Sequence, residues 1–153
     1  MTQKQEEGRT KQVETKRPLV KVSVLITKDD QVLLMKRNGA HGDVTWSTPG
    51  RHLEFGESLE ACAIRSVKEE MTVTIKDLAF RAITNDLFEN ESIHFITIWM
   101  EGSYSSGEPP MQATNEMPVV GWFSWGALPE PLFLPLENLL IGRCHPALWN
   151  FNE

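Results

Sequence analysis

The stretch Gly50–Val73, GRHLEFGESLEACAIRSVKEEMTV, decides the predicted fold. It begins as a glycine-containing loop and continues from Ser58 into a helical run, because serine is a favoured helix N-cap. Leu59, Ala63 and Val67 recur at four-residue spacing, so one side of this helix faces an apolar core. The stretch therefore predicts a strand, a loop and then an acidic helix.

Carboxylates collect on the solvent side of this predicted helix. Glu69 and Glu70 lie near its end, and Glu57 lies in the loop before it. Arg65 stands four residues before Glu69, a spacing at which the two side chains can pair. Because Mg²⁺ prefers hard oxygen ligands and usually takes only a few of them from protein, Glu69 and Glu70 are candidate metal ligands.

At these residues the chain resembles the Nudix family. The family signature is glycine, five residues, glutamate, seven residues, arginine, glutamate, an aliphatic residue, one residue, two glutamates, one residue, glycine and an aliphatic residue. Six positions match in the correct spacing, namely Glu57, Arg65, Val67, Glu69, Glu70 and Val73. The resemblance implies an α+β Nudix fold, with a mixed β-sheet sandwiched between α-helices.

Three signature positions depart from the family pattern. Arg51 replaces the first glycine, Ser66 replaces the glutamate after the arginine, and Thr72 replaces the closing glycine. In the family that glutamate is a metal ligand and is often assigned as the base, and loss of a general base typically costs roughly a hundred- to ten-thousand-fold in rate. Thr72 is expected to resist the left-handed helix C-cap that glycine accepts. We therefore expect a Nudix fold with a damaged or rebuilt catalytic centre.

Composition and length set the domain organisation. With 153 residues, of which 41% are hydrophobic, the chain is sized for one domain with a proper core. Residues 1–18 carry almost no apolar side chains and predict a disordered, mildly basic tail, so the Nudix domain is assigned to residues 19–153.

Charge and hydropathy limit the partners. The formal net charge of −6 argues against non-specific binding to nucleic acid, which depends on Lys and Arg. The N-terminus lacks the apolar segment of a signal peptide, and no apolar run is long enough to cross a bilayer. Cys62 and Cys144 fit a reducing compartment and are interpreted as packing residues. The sequence thus predicts a soluble, cytoplasmic protein with no nucleic-acid polymer and no membrane as partner.

The rest of the chain reads mainly as strands. Alternating or apolar runs predict strands at residues 19–27, 31–36, 78–88, 92–101 and 119–125. The Gly, Ser and Pro content of residues 102–118 predicts a loop. Pro135 can begin a short helix, because proline is tolerated in the first helical turn.

The branch of the family sets the expected pocket. The loop around His52, the strand from His94 and the stretch from Trp125 to Glu137 resemble small nucleoside triphosphate diphosphatases and plant geranyl diphosphate hydrolases. By position, that resemblance implies that the pocket is lined by Thr48, Phe133, Leu134 and Leu136. The alternative is that these residues belong to the apolar core. An apolar wall of this kind does not distinguish a nucleobase from an isoprenoid.

Two further side chains are candidates for substrate phosphate. Arg37, beside Lys36, follows the second strand and can neutralise phosphate charge, or can simply be a solvated strand end. His52 lies in the loop that faces the site and either contacts a phosphate or stabilises the loop.

The resemblance implies a Mg²⁺-dependent diphosphohydrolase, with Mn²⁺ as the alternative ion, acting on a nucleoside di- or triphosphate or a related organic diphosphate. Glu69, Glu70 and the Gly50 carbonyl would hold the metal, with Glu57 and Arg65 supporting the cluster. With Ser66 in the chain, another carboxylate must supply the base, and Glu54 and Glu116 are the candidates.

Rival hypotheses follow from the three departures. One is a Nudix scaffold used for ligand binding or for non-hydrolytic, metal-independent chemistry, and another is a drifted interaction module. Nudix relatives of this size often dimerise, so a homodimer is also expected.

Overall fold

The computed structural model describes residues 16–38, 44–110 and 120–147. Most of the predicted tail and Glu116 therefore lie outside the described residues, and the division into tail and domain stays a prediction. Neither described helix has the length and apolar character needed to span a membrane.

Seven strands and two helices are formed by the described residues. In chain order they are β1 (Leu19–Lys28), β2 (Gln31–Asn38), β3 (Val44–Ser47), β4 (Gly50–His52), α1 (Leu59–Met71), β5 (Val73–Phe88), β6 (Ile93–Gly107), β7 (Val120–Ser124) and α2 (Leu134–Leu140).

The strands form one mixed sheet in the order β3-β2-β1-β6-β5, with β4 paired to β1 and β7 paired to β2. β1 and β6 run parallel, whereas the other pairs are antiparallel. The pairing of β4 with β1 sets Gly50 against Ser23, where a Cβ on residue 50 would stand 2.6 Å from the Ser23 Oγ. Only glycine allows this close approach, so the start of the signature stretch is fixed against the centre of the sheet.

Two apolar cores lie on the sheet, one with each helix. The first joins Cys62, Ala63, Val67 and Met71 of α1 to β1 and β2 side chains, including Val22, Val24, Ile26 and Leu33. The second joins Leu136 and Leu139 of α2 to Leu25, Val32, Leu34, Trp46 and Trp99. This arrangement confirms the α+β Nudix architecture that the sequence predicts.

Local signals place α1 correctly. The Ser58 Oγ accepts a hydrogen bond from the Ala61 N–H at 3.0 Å, as expected for an N-cap. Thr72 ends the helix in the left-handed region (φ 53°, ψ 33°), the conformation that a threonine is expected to resist. Its Oγ1 donates to the Glu108 carbonyl at 2.8 Å, and its N–H donates to the Lys68 carbonyl at 3.1 Å. These contacts hold the strained residue in place.

The predicted loop at residues 102–118 is too long, because β6 continues to Gly107. Its polar residues Ser103 and Ser106 pair with Lys76 and Thr74 of β5, which itself begins at Val73. Long-range pairing therefore overrides a turn-like composition, with register shifts that absorb the irregular residues. The predicted hairpin of β1 and β2 and the short helix α2, with Pro135 in its first turn, are confirmed.

Candidate functional site

The pairing of β4 with β1 brings the loop before α1 against the end of that helix. The Gly50 N–H donates to Glu70 Oε1 at 3.1 Å, and the Val24 N–H donates to the Pro49 carbonyl at 3.0 Å. Gly50 and Glu70, both predicted as metal ligands, are therefore close together.

The Arg51 guanidinium lies between Glu69 and Glu70 near the end of α1. Arg51 Nε is 3.1 Å from Glu70 Oε2 and 3.5 Å from Glu69 Oε1. Arg65 Nη1 is 3.7 Å from the same Glu69 oxygen, so the expected pair at four-residue spacing is present. We call Arg51, Glu69 and Glu70, together with Arg65 and Glu57, the carboxylate cluster.

The closest partner of Arg65 is Glu57, a pairing that the sequence does not predict. Arg65 Nε and Nη2 donate to the two Glu57 oxygens at 2.8 and 3.0 Å, and Nη2 also donates to the His52 carbonyl at 3.1 Å. The hydrogen bonds from Arg65, followed by the Glu54 N–H, lower the pKa of Glu57 to about 2. Arg65 thus ties the loop to the helix through a bidentate ion pair.

Ser66 takes the place of the third carboxylate but offers no substitute for it. The side chain is fully buried, and its Oγ donates to the Cys62 carbonyl one turn earlier at 2.7 Å. A hydroxyl committed to the helix backbone carries no charge and is not a base at neutral pH. Glu69 and Glu70 therefore remain as candidate metal ligands, and the carboxylate that the family signature has at position 66 is missing.

These residues do not fit a protein-bound divalent ion in their present arrangement. Within residues 16–38, 44–110 and 120–147, no group of three or more His, Cys, Asp or Glu side chains is placed to hold a metal. The predicted ligands Gly50, Glu69 and Glu70 are brought together, but Glu70 already accepts from the Gly50 N–H, and both carboxylates contact Arg51.

A cavity of about 140 Å³ adjoins the carboxylate cluster. We call it the cationic cavity, and its lining residues are Lys21, Met35, Arg37, Ser47, Thr48, Gly50 and Glu70. Thr48 Oγ1 is buried and has no hydrogen-bond partner among the described residues. A buried hydroxyl without a partner is costly, and Thr48 is one of the residues that line the cavity.

Burial perturbs the charged groups of this cavity. Burial first, and then the positive charge of Arg37, lowers the pKa of Lys21. Burial also lowers the pKa of Arg37, with Glu70 acting in the opposite direction. Burial raises the pKa of Glu70, against the hydrogen bond from Gly50 and the charge of Arg51. Partly desolvated cations attract an anionic ligand more strongly than solvated ones do.

Aromatic rings form one wall beside these cations. Arg37 Cζ lies 4.0 Å from the Phe133 ring centroid, and Lys21 Nζ lies 5.4 Å from the same centroid. Phe88 packs on Phe133 at 5.4 Å between centroids and on Phe95 at 6.1 Å. The resulting site has cations at one end and flat apolar surface beside them.

The predicted substrate residues divide in their placement. Arg37 and Thr48 line the cavity, Phe133 contacts Arg37, and the exposed His52 contacts Phe95 edge to face at 5.6 Å between centroids. Leu136 is only 1% exposed, packs in the second core and does not line this cavity, which favours the plain-core alternative for that residue. A half-buried Leu134 begins α2.

Lys21, Phe88 and Phe95 were missed as site residues. All three lie in strands whose apolar alternation gave no sign of a ligand site. The available signal was Lys21 itself, a charged side chain between Val20 and Val22. Lys36, the neighbour of Arg37, points elsewhere, because its Nζ lies 5.5 Å from the Trp46 ring centroid.

Comparison with known proteins agrees with this architecture. The family profile described as NUDIX domain matches residues 17–140. A NAD-capped RNA hydrolase of Pseudomonas aeruginosa is 35% identical over 106 residues, which are 69% of this chain and 36% of that protein. An ADP-ribose pyrophosphatase of Methanocaldococcus jannaschii is 27% identical over 116 residues, which are 76% of this chain and 68% of that protein.

A solved structure gives the same result for the fold. The MutT NUDIX hydrolase of Burkholderia pseudomallei superimposes with a TM-score of 0.68 at 22% identity, covering 77% of this chain and 92% of that one. The chain spans only about a third of the length of the Pseudomonas hydrolase, 36%. Nudix hydrolases generally use divalent metal ions. Because the family profile matches most of the sequence, this chain belongs to the Nudix family.

Proposed function

We propose that this chain binds a nucleotide-related organic diphosphate in the cationic cavity and hydrolyses it slowly. The observation that carries the proposal is the combination of Lys21, Arg37 and the unpartnered Thr48 hydroxyl in one cavity. Two cations neutralise the diphosphate, and the Thr48 hydroxyl, which has no partner among the described residues, gains a hydrogen bond from the ligand. Their charge also opposes the negative charge that develops during attack on phosphorus.

The aromatic wall supports recognition of a flat or apolar group attached to the diphosphate. Phe133 lies against Arg37, and Phe88 packs on Phe133, so a base or a prenyl chain can lie beside the phosphate contacts. Stacking on such rings tolerates different bases, because every base presents a π-face. The wall thus accepts the class of ligand without selecting one member.

Relatives narrow the class to test first. The two relatives are named for NAD-capped RNA and for ADP-ribose, and both of these molecules contain an adenosine diphosphate unit. We therefore expect adenosine diphosphate derivatives to be the leading ligands, ahead of simple triphosphates and geranyl diphosphate. The expectations of a homodimer and of no nucleic-acid polymer as partner remain predictions, and a NAD-capped oligonucleotide belongs in the panel.

Water activation is the weak step. Of the two candidate bases from the sequence, Glu54 lies exposed in the loop before α1 and Glu116 lies outside the described residues, whereas Glu70 lines the cationic cavity. Glu70 is therefore the better-placed base, although its contacts with Gly50 and Arg51 compete with proton transfer. Slow turnover is expected because the carboxylate replaced by Ser66 has no equivalent in the cluster.

The second candidate function is binding without turnover. It is favoured by the buried Ser66 and by the ion pairs of Arg51 with both acidic residues. On this reading the cavity keeps its affinity for a diphosphate while no bond is broken.

The deciding experiment measures binding and hydrolysis on the same panel. Titration calorimetry would give the affinity for ADP-ribose, NAD, a NAD-capped oligonucleotide, nucleoside triphosphates and geranyl diphosphate. Phosphate release, coupled to alkaline phosphatase or pyrophosphatase, would give the rate with Mg²⁺, with Mn²⁺ and with chelator. Binding with turnover supports the hydrolase, binding alone supports the second candidate, and no binding to folded protein contradicts both.

A further inference from the structure

We propose that Arg51 is the resident cation of the signature stretch, occupying the place between Glu69 and Glu70 so that these carboxylates are neutralised without a divalent ion. The guanidinium is 3.1 Å from one carboxylate and 3.5 Å from the other. Arg51 in place of the first signature glycine therefore changes the charge at the metal-ligand position, in addition to the geometry of the loop. The proposal concerns metal affinity alone and does not rest on the identity of the substrate.

The backbone holds Arg51 in this place. Arg51 pairs with Val22 of β1, and the preceding Gly50 is packed so closely on Ser23 that the strand has no room to shift. The side chain therefore starts from a fixed point beside α1, and its planar donor group meets both carboxylates. A contact built on a paired strand has a smaller ordering cost than one made from a free loop.

The charge balance around Glu70 also disfavours a metal ion. Lys21 and Arg37 line the same cavity as Glu70, and Arg51 contacts Glu70 directly. Arg51 also contacts Glu69, and Arg65 is engaged by Glu57. A divalent cation would be repelled by these cationic side chains, whereas a diphosphate would be attracted to them.

The third carboxylate of a typical ligand set would add a negative charge beside these cations. Ser66 leaves it out, and its hydroxyl is engaged by the Cys62 carbonyl. Arg51 and Ser66 thus act in the same direction, since one adds a positive charge and the other removes a negative charge. Together they convert a cation site into one whose acidic residues are held by the protein itself.

The test is a titration of the protein with Mn²⁺ in the absence of substrate. The electron paramagnetic resonance signal of the free ion measures how much Mn²⁺ remains unbound. We expect the natural chain to bind Mn²⁺ weakly and Arg51→Gln to bind it at least about tenfold more tightly, because a close positive charge is removed. Arg51→Lys keeps the charge and is expected to stay weak. Lys68→Gln, which neutralises an exposed cation on the same helix, is the matched control and is expected to match the natural chain.

A double variant locates the gained ion. Arg51→Gln combined with Glu70→Gln is expected to return to weak binding, because the new site needs the released carboxylate. Thermal unfolding of each variant verifies that the fold is retained. Tight Mn²⁺ binding by the natural chain, no gain in Arg51→Gln, or a gain that survives Glu70→Gln would each overturn the proposal. A failure of diphosphate binding would leave this measurement unaffected, so the two proposals fail separately.

Discussion

The two halves of the candidate site differ in what they retain. The carboxylate cluster lies largely at the surface, with side-chain exposures of 43% for Arg51 and 48% for Glu69, and its charges are paired within the protein. The cationic cavity is partly desolvated, and its Thr48 hydroxyl has no hydrogen-bond partner in the described part of the chain. We therefore expect recognition and bond breaking to be separable on this scaffold, because Glu70 is the one cluster side chain that also lines the cavity.

The largest expected effect is loss of diphosphate binding through the cavity. Lys21→Met and Arg37→Ala each remove a partly desolvated cation, and each is expected to weaken binding of ADP-ribose by about ten- to a hundredfold. Titration calorimetry is the measurement. If both variants bind ADP-ribose as tightly as the natural chain does, the cationic cavity is not the ligand-binding site.

Lys28→Met is the matched control for Lys21→Met. Lys28 Nζ also lies over aromatic rings, 4.8 Å from the Tyr104 centroid and 5.2 Å from the Trp122 centroid, but Lys28 does not line the cationic cavity. The control therefore removes a cation and its ring contacts without touching the proposed ligand site. Its affinity for ADP-ribose is expected to be unchanged.

The next largest effect is expected when a carboxylate is restored at position 66. Ser66→Glu is expected to raise Mg²⁺-dependent hydrolysis at least about tenfold, since a positioned general base typically contributes a hundredfold or more. Combining it with Arg51→Gln should exceed the product of the single gains, because the two positions share Glu69 and Glu70 as neighbours. A kinetic double-mutant cycle measures the coupling, and strictly multiplicative gains would contradict a shared site.

Thr48→Val addresses the cavity with a smaller change. Removing a buried hydroxyl that lacks a partner should raise the free energy of unfolding by about 1 kcal/mol. The same change should weaken diphosphate binding by about three- to tenfold, because the ligand loses one hydrogen bond. Chemical denaturation and calorimetry give the two values, and opposite signs are expected. Weaker stability with unchanged binding would mean that the hydroxyl has a structural role.

The smallest expected effect concerns the ion pair of Glu57 and Arg65, which joins the loop to α1. The pKa of Glu57 is lowered from 4.5 to about 2, so its ion pair stabilises the fold above pH 4.5 and is lost as the pH falls toward 2. Glu57→Gln should therefore lower the unfolding temperature near neutral pH, and the difference from the natural chain should shrink as the pH falls from 4.5 through 2. A constant difference across this range would contradict the ion-pair assignment.

Local signals in the sequence were sufficient for α1, the hairpin of β1 and β2, and the short helix α2. Ser58 caps its helix, and the turn after β1 follows from adjacent residues, so no distant contact is needed. The extension of β6 to Gly107 was not predictable, because it depends on pairing with β5 across the sheet. Composition alone describes residues 102–107 as a loop.

The site shows the same division. The spacing within α1 correctly predicts the approach of Arg65 to Glu69, since residues four apart lie on one helix face. The stronger pair with Glu57 depends on how the loop folds back over the helix, which no spacing rule gives. Lys21 and Phe133 meet only because a strand near the N-terminus and the residue before α2 converge in space.

One strand aligns both halves of the site, and this limits how the chain can vary. β1 carries Lys21 into the cavity, pairs Val22 with Arg51 and sets Ser23 against Gly50. A register slip of a single residue would turn Lys21 to the opposite face and separate the two halves together. Changes such as Ser66 or Arg51 leave that register intact. Because the strand register stays fixed, side chains of the signature stretch can be substituted without moving the residues that line the cationic cavity.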